Sequence, residues 1–316
     1  MNGPIVKFAG RFRITVTGGD GTIKQDTGWF DNLITNQGLD MIGNASIIGG
    51  LSGIPKIVTG VCGVGTSSAT PAFTDTVLGA QLATHNAFNG TGNFASTTYV
   101  PGPPAYWSGL VVYNWSQGAV VGNLTEVGVG LIPNSSTTLY TFSRALILDG
   151  SGNPTTLPVI ASDTLSVTYE LRMYLDLTDH TYSITIGGTG YSGTYRMATV
   201  SAPTGYYNNE IDYNFFSPPN VVSYGTGALV PVTSTPTTTL STTSSGSVSL
   251  VTPYAVGTYF ASFAGTIPAN TGIAINVALI LFYTNMGSWQ FSVSPTWNRA
   301  TYQQITVNFN VSWARY

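Results

Sequence analysis

From Thr164 to Leu175 the chain reads TLSVTYELRMYL. Leu165, Val167, Tyr169, Leu171 and Met173 alternate with Ser166, Thr168, Glu170 and Arg172. Residues two apart on an extended strand point the same way, so this spacing sorts apolar from polar only as a β-strand. A helix would scatter the same side chains around its axis. The pattern recurs along the chain. RFRITVTGGDGTIKQDTGWF predicts a hairpin turning at GGDG, and ALILDGSGNPTTLPV predicts a second. TYSITIGGTGYSGTYRMATV predicts a third strand pair, and ITVNFNVSWARY a strand from Ile305 onward. One segment has helical spacing instead. In NLITNQGLDMIGN, Thr35 is placed to cap, Leu39 and Ile42 share a face, and Gly43 is placed to end the helix. The expected fold is therefore all-β: two antiparallel β-sandwich units with one short helix near the N-terminus.

An internal match supports two units. LSVTYELRMY at 165–174 aligns with ITVNFNVSWARY, and each follows an apolar strand, VVGNLTEVGVGLI and GIAINVALILFY respectively. The expected division is a hairpin-and-helix docking segment at 1–50, a first sandwich at 50–178 and a second at 190–316. Within the second, the Thr/Ser/Pro-rich tract 231–249 reads as a linker, an edge strand or an arm across a neighbour.

Charge is scarce: 7% of residues carry it, against about 25% in an ordinary soluble domain. After Asp212 the next charged residue is Arg299. Polarity comes from Ser, Thr, Asn, Gln and Gly, whose burial against a neighbour sacrifices less solvation than burial of ions. The expectation is a homo-oligomer, a trimer or hexamer. The formal net charge of −3 argues against nucleic-acid binding. The apolar run VALILFY is too short to span a bilayer, so no membrane insertion is expected. The stretch MNGPIVKFAGRFRITVTGG lacks a signal-peptide pattern, and the N-x-Ser/Thr sequons are read as a by-product of composition. Cys62 is the single cysteine, leaving stability to packing or association.

Several stretches invite a chemical reading. GGTGYSG places Gly188, Gly190 and Gly193 in a dinucleotide-like spacing, but the Thr-rich TYRMATVSAP that follows is strand-like, so these are turn residues and no cofactor is expected. DGSGNP has the first oxygen spacings of a calcium loop, but Pro154 stands where Gly is needed, so it too reads as a turn. LDLTDHTY gathers Asp176, Asp179 and His180, read as a solvated connection rather than a metal site. His85 lies elsewhere, no G-x-S-x-G elbow occurs, and Cys62 reads as a buried thiol. Glu210 with Asp212, or Asp163 with Glu170, are the carboxylate pairs a glycan-cleaving enzyme would need. No catalytic set is expected.

Two aromatic clusters remain, PAYWSGLVVYNW and GYYNNEIDYNFF. Tyr and Trp beside Asn and Ser suit sugar stacking or protein contact. Tyr206, Tyr207, Tyr106 and Trp107 are the expected binding surface, with Tyr206 and Tyr207 in a loop.

Five phrases carry a family resemblance: GWFDNLITNQGLDMIG, GVGTSSATPAFTDTVLGAQL, GNLTEVGVGL, FSRALILDGSGNPTTLPVIASDTLSVTYELRMY and ITIGGTGYSGTYRMATV. In that order they resemble bacteriophage tail structural proteins of the tail-fibre or minor tail type, over about residues 5–200. The resemblance implies a non-enzymatic virion component of β-sandwich type, assembled in the host cytoplasm and present in several copies. Its partners would be other tail proteins and, in an attachment role, a host surface glycan or receptor. An architectural head decoration or collar protein, and a glycan depolymerase, are the alternatives. Surfaces that hydrogen-bond without titrating suit a particle that works outside the cell.

Overall fold

A computed structural model describes residues 5–43, 60–86, 94–133, 136–186, 188–197, 221–232, 234, 246–251, 254–267, 275–284, 287–300 and 304–316. The first half forms β1 (Ile5–Thr17), β2 (Ile23–Asp26), β3 (Phe30–Asp31), β4 (Leu33–Ile34) and α1 (Asn36–Gly43). Then come β5 (Val61–Gly65), β6 (Gln81–Asn86), β7 (Phe94–Val100), β8 (Tyr106–Trp115), β9 (Gly122–Leu124) and β10 (Glu126–Leu131). β11 (Tyr140–Leu146), β12 (Leu157–Val159) and β13 (Thr164–Tyr174) complete it. The second half contributes β14 (His180–Ile186), β15 (Thr189–Met197), β16 (Val221–Gly225) and β17 (Gly246–Leu250). It ends with β18 (Phe260–Ile267), β19 (Ile275–Thr284), β20 (Gly287–Arg299) and β21 (Ile305–Arg315). The fold is all-β with a single short helix among the described residues.

One sheet runs β14-β15-β20-β19-β16-β17-β18-β21-β1-β13-β8-β7, with β2 and β3 also pairing on β1. A five-stranded sheet, β4-β11-β10-β5-β6, faces its first-half end, and β12-β9 makes a small ribbon. The contact between these layers is visible at Tyr169 of β13. Its hydroxyl accepts from Asn32 Nδ2 at 3.2 Å and Ser143 Oγ of β11 at 3.3 Å. Gly10 makes room for it, since a Cβ there would fall 2.3 Å from that hydroxyl.

The alternation at 164–175 matches burial. Leu165, Val167, Tyr169 and Leu171 are buried, and Ser166, Thr168 and Arg172 are half-buried on the opposite face. β5 and β10, central in the smaller sheet, are buried throughout because the segment 66–80 covers their far side. That segment is fastened by ions. Glu126, fully buried, accepts from the backbone N–H groups of Gly79 and Ala80 at 3.0 and 2.7 Å and from Arg144 at 2.9 Å. Arg144 also reaches Asp75 at 2.7 Å.

The second-half strands curl. Phe291 of β20 meets Phe309 of β21 with ring centroids 6.4 Å apart, although β19, β16, β17 and β18 separate those strands in the sheet. The inner face of this curled region thus encloses a core of Tyr224, Phe263, Trp289, Phe291, Trp297 and Phe309.

The matched segments, β13 and β21, flank β1 on its two sides, the first antiparallel and the second parallel. The expected segment 1–50 contributes β1 to α1, with β1 central in the large sheet. The helix begins as expected, with Thr35 Oγ1 accepting from Gly38 N–H at 2.9 Å. Gly43 is its last residue and lies against the ring of Tyr254, where a Cβ would fall 2.6 Å away. The hairpin predicted at ALILDGSGNPTTLPV turns at 149–153, but β12 pairs with β9 rather than with β11. Most of 231–249 lies outside the described residues.

Candidate functional site

Alternation places Lys7, Arg11 and Arg13 on the outer face of β1, opposite Tyr174, Glu170 and Thr168 of β13. β8 then sets Tyr106 beside Tyr174 and Ser108 beside Arg172. The result is a row of rings and cations on the outside of the sheet. Arg11 stacks on Trp29 at 4.3 Å and pairs with Glu170, and Arg172 pairs with Glu170 at 3.0 Å. Arg172 also lies 4.9 Å over Tyr106, whose ring is 5.3 Å from Tyr174. Tyr174 in turn stacks on Tyr316 at 3.7 Å with a 12° interplanar angle, and Lys7 Nζ is 5.7 Å from the Tyr316 ring.

Glu170 is the hinge of this row. Burial pushes its carboxyl up, but the Ser108 hydroxyl at 2.5 Å, Arg172 and Arg11 outweigh burial and hold it below the usual range. The row holds three cations, Lys7, Arg11 and Arg172, and two carboxylates, Glu170 and, across from Arg11 on β3, Asp31. Arg13 and Asp26, the next position along, neutralise each other at 2.5 Å. A surface of Arg, Tyr and Trp with a positive excess is suited to gripping a partner, because the rings cover large area with few rotatable bonds and the guanidinium groups are already held against rings and Glu170.

Of the four expected binding residues, Tyr106 belongs to this row. Trp107, one position on in β8, turns to the opposite face and packs on the core beside Tyr99 at 5.7 Å. Adjacent strand residues point to opposite faces, so the two cannot form one surface. Tyr206 and Tyr207 lie outside the described residues, as do Glu210 and Asp212. Tyr113 and Trp115 are buried in the core. Sequence reading missed Trp29, Tyr174 and Tyr316. Trp29 and Tyr316 meet cations distant in sequence, Arg11 and Lys7, and Tyr174 lies between the rings of Tyr106 and Tyr316, so their signal exists only once the strands are paired.

The other stretches resolve into structure. Gly188 sits at the β14–β15 turn with φ +83°, while Gly190 and Gly193 lie within β15. The Asp149 carboxylate accepts from the N–H groups of Ser151 and Asn153 at 2.8 and 3.0 Å, closing the turn on itself. Asp176 binds Thr178 and His180 Nε2, the latter at 2.6 Å, while Asp179 turns to Arg196. Burial pushes the Cys62 thiol well up, leaving it inert. His85 lies edge-on to Trp115, 5.2 Å away. Asp163 is held by Lys24 at 2.6 Å, which lowers its pKa. Asp163 and Glu170 are thus both depressed, whereas glycoside cleavage needs one acid held high.

A concavity of about 450 Å³ opens on β14, β15 and β20, lined by Ser183, Thr185, Tyr191, Ser192, Ser294 and Pro295 among others. It carries hydroxyls and one ring but no charge. Compared with known proteins, the chain matches no family model, no curated protein and no solved structure.

Proposed function

We propose that this chain is a structural protein of a bacteriophage tail, a fibre, fibre-base or tail-tip subunit without catalytic activity. The observation that carries the reading is the outer face of β1, β13 and β8. There the rings and cations of a charge-poor chain are gathered into one row. Elsewhere charges pair off with one another, inside the molecule as in Arg144 between Glu126 and Asp75, or at its surface as in Arg13 with Asp26 and Arg196 with Asp179. In this reading the row docks on a neighbouring tail protein, and the hydroxyl-rich second half extends outward. The ordered resemblance over about residues 5–200 and the β-sandwich-like architecture support the assignment.

The test is a tagged copy in purified particles. Gold-labelled antibody should decorate tails, and the double variant Lys7→Ala/Tyr316→Ala should fold with the wild-type circular dichroism spectrum yet fail to incorporate. Label on heads would move the assignment to a decoration protein, and particles without the chain would refute it.

A further inference from the structure

A sheet that does not close has two edge strands, each a row of backbone groups open to another chain. The large sheet ends in β7 on one side and β14 on the other. β7 is bulged between Phe94 and Ser96 and is followed by Pro101, Pro103 and Pro104. In the smaller sheet β4 has two residues, and the β5–β6 ladder is bulged at Val64 and Gly65. β14 has none of these protections. Its sequence HTYSITI pairs with β15 without a break from His180–Tyr195 to Ile186–Thr189, and it contains neither proline nor Lys, Arg, Asp or Glu. Among the described residues its other side pairs with nothing.

The strand is also complementary to itself. Turned antiparallel about Ser183, two copies set Ser183 against Ser183 and Thr181 against Thr185, all exposed residues on the outer face. On the inner face Tyr182 meets Ile184. Hydroxyl pairs and an aromatic–β-branched pair are favourable cross-strand neighbours. The nearby charges, Asp176, Asp179 and Arg196, lie toward the His180 end and would approach the partner's uncharged Gly188 turn, so no like charges meet.

We propose that β14 receives a second copy of this chain, antiparallel, continuing the large sheet across a two-fold axis at Ser183. Such an interface is isologous and closes at two copies. The inference rests on strand register, not on the tail reading, so solution mass and particle labelling fail independently.

The test is a charge swap read by light scattering on the full chain. Wild type should have twice the 33.3 kDa chain mass. Thr181→Lys/Thr185→Lys puts Lys opposite Lys on both sides of the axis and should halve that mass. Thr181→Lys/Thr185→Glu puts Lys opposite Glu and should keep it. Both sites are exposed, and circular dichroism checks that each variant folds. As an independent readout, Ser183→Cys should be cross-linked between chains by a short bis-maleimide, with the buried Cys62 silent. A single-chain wild-type mass, a mass unaffected by the Lys/Lys change, two double variants that behave alike, or absence of the cross-link would each overturn the proposal.

Discussion

The two halves of this molecule reach the same architecture by different means. In the first, buried or half-buried ions tie elements together: Glu126–Arg144–Asp75 fastens a covering segment, and Arg11 and Arg172 meet on Glu170 across the sheet. In the second, from β16 onward, aromatic rings fill that place. Phe263 stacks on Phe309 at 5.3 Å, and Phe291 touches Tyr182, Tyr195 and Phe309. The lone charged residue there with a described side chain, Arg315, reaches back to the first half, donating to Ile34 O and Asn36 Oδ1. An ion pair specifies its partner by direction, and removing one member strands the other. Rings accept many neighbours and lose area in proportion to what is removed. The first half should therefore fail abruptly and respond to pH, and the second should fail gradually and ignore it.

Removing a buried side chain from either side should have the largest effect. Glu126→Ala removes one of the two carboxylates that hold buried Arg144, together with the acceptor of the Gly79 and Ala80 N–H groups, and is expected to cost about 3–5 kcal/mol in chemical denaturation. Glu126→Gln keeps an oxygen for the Gly79 and Ala80 N–H groups and should cost less than Glu126→Ala. Phe291→Ala probes the aromatic side and is expected to cost about 3–5 kcal/mol, with no recovery by a charged neighbour.

Acid sharpens the contrast. Glu170, Asp163 and Asp26 all have pKa values lowered in the fold, so the stability they give is full above the unfolded value, about 4, and is lost as pH falls through the folded values. The melting temperature should fall across that window, and Glu170→Gln should flatten the fall. An unchanged slope in the variant would remove Glu170 from the account. The helix cap is smaller: Thr35→Ala should cost about 1 kcal/mol. The least effect is expected from Asp26→Asn at the exposed Arg13 pair, where melts should overlay those of the wild type at high salt.

The same contrast explains what sequence alone made legible. Strand identity was readable wherever one face is buried, as in β13, and the cap at Thr35 was readable from its position before an apolar pattern. Pairing was not. Nothing local tells β12 to join β9, or says that β1 lies between β13 and β21. The contact row was half legible for the same reason. Tyr106 stood out as an aromatic, but its cation comes from Arg172 in another strand. Trp107 drew attention by its composition, while its alternation in β8 puts it on the face opposite Tyr106. The burial of Glu126 comes from the fold of 66–80 over it, which no periodicity encodes.

The parallel ladder between β1 and β21 has a consequence in time. Ile5 pairs with Ser312 and Phe8 with Arg315, residues made some three hundred positions apart, and Tyr316 N–H bonds Phe8 O at 2.9 Å. As the chain leaves the ribosome, β1 can gain β13 early but must wait for β21 with one side bare. Contacts this distant in sequence slow folding and prolong exposure to other nascent chains. Copies of the chain made side by side would meet in that interval, so the rate at which β21 arrives would govern how much of the protein is recovered in usable form.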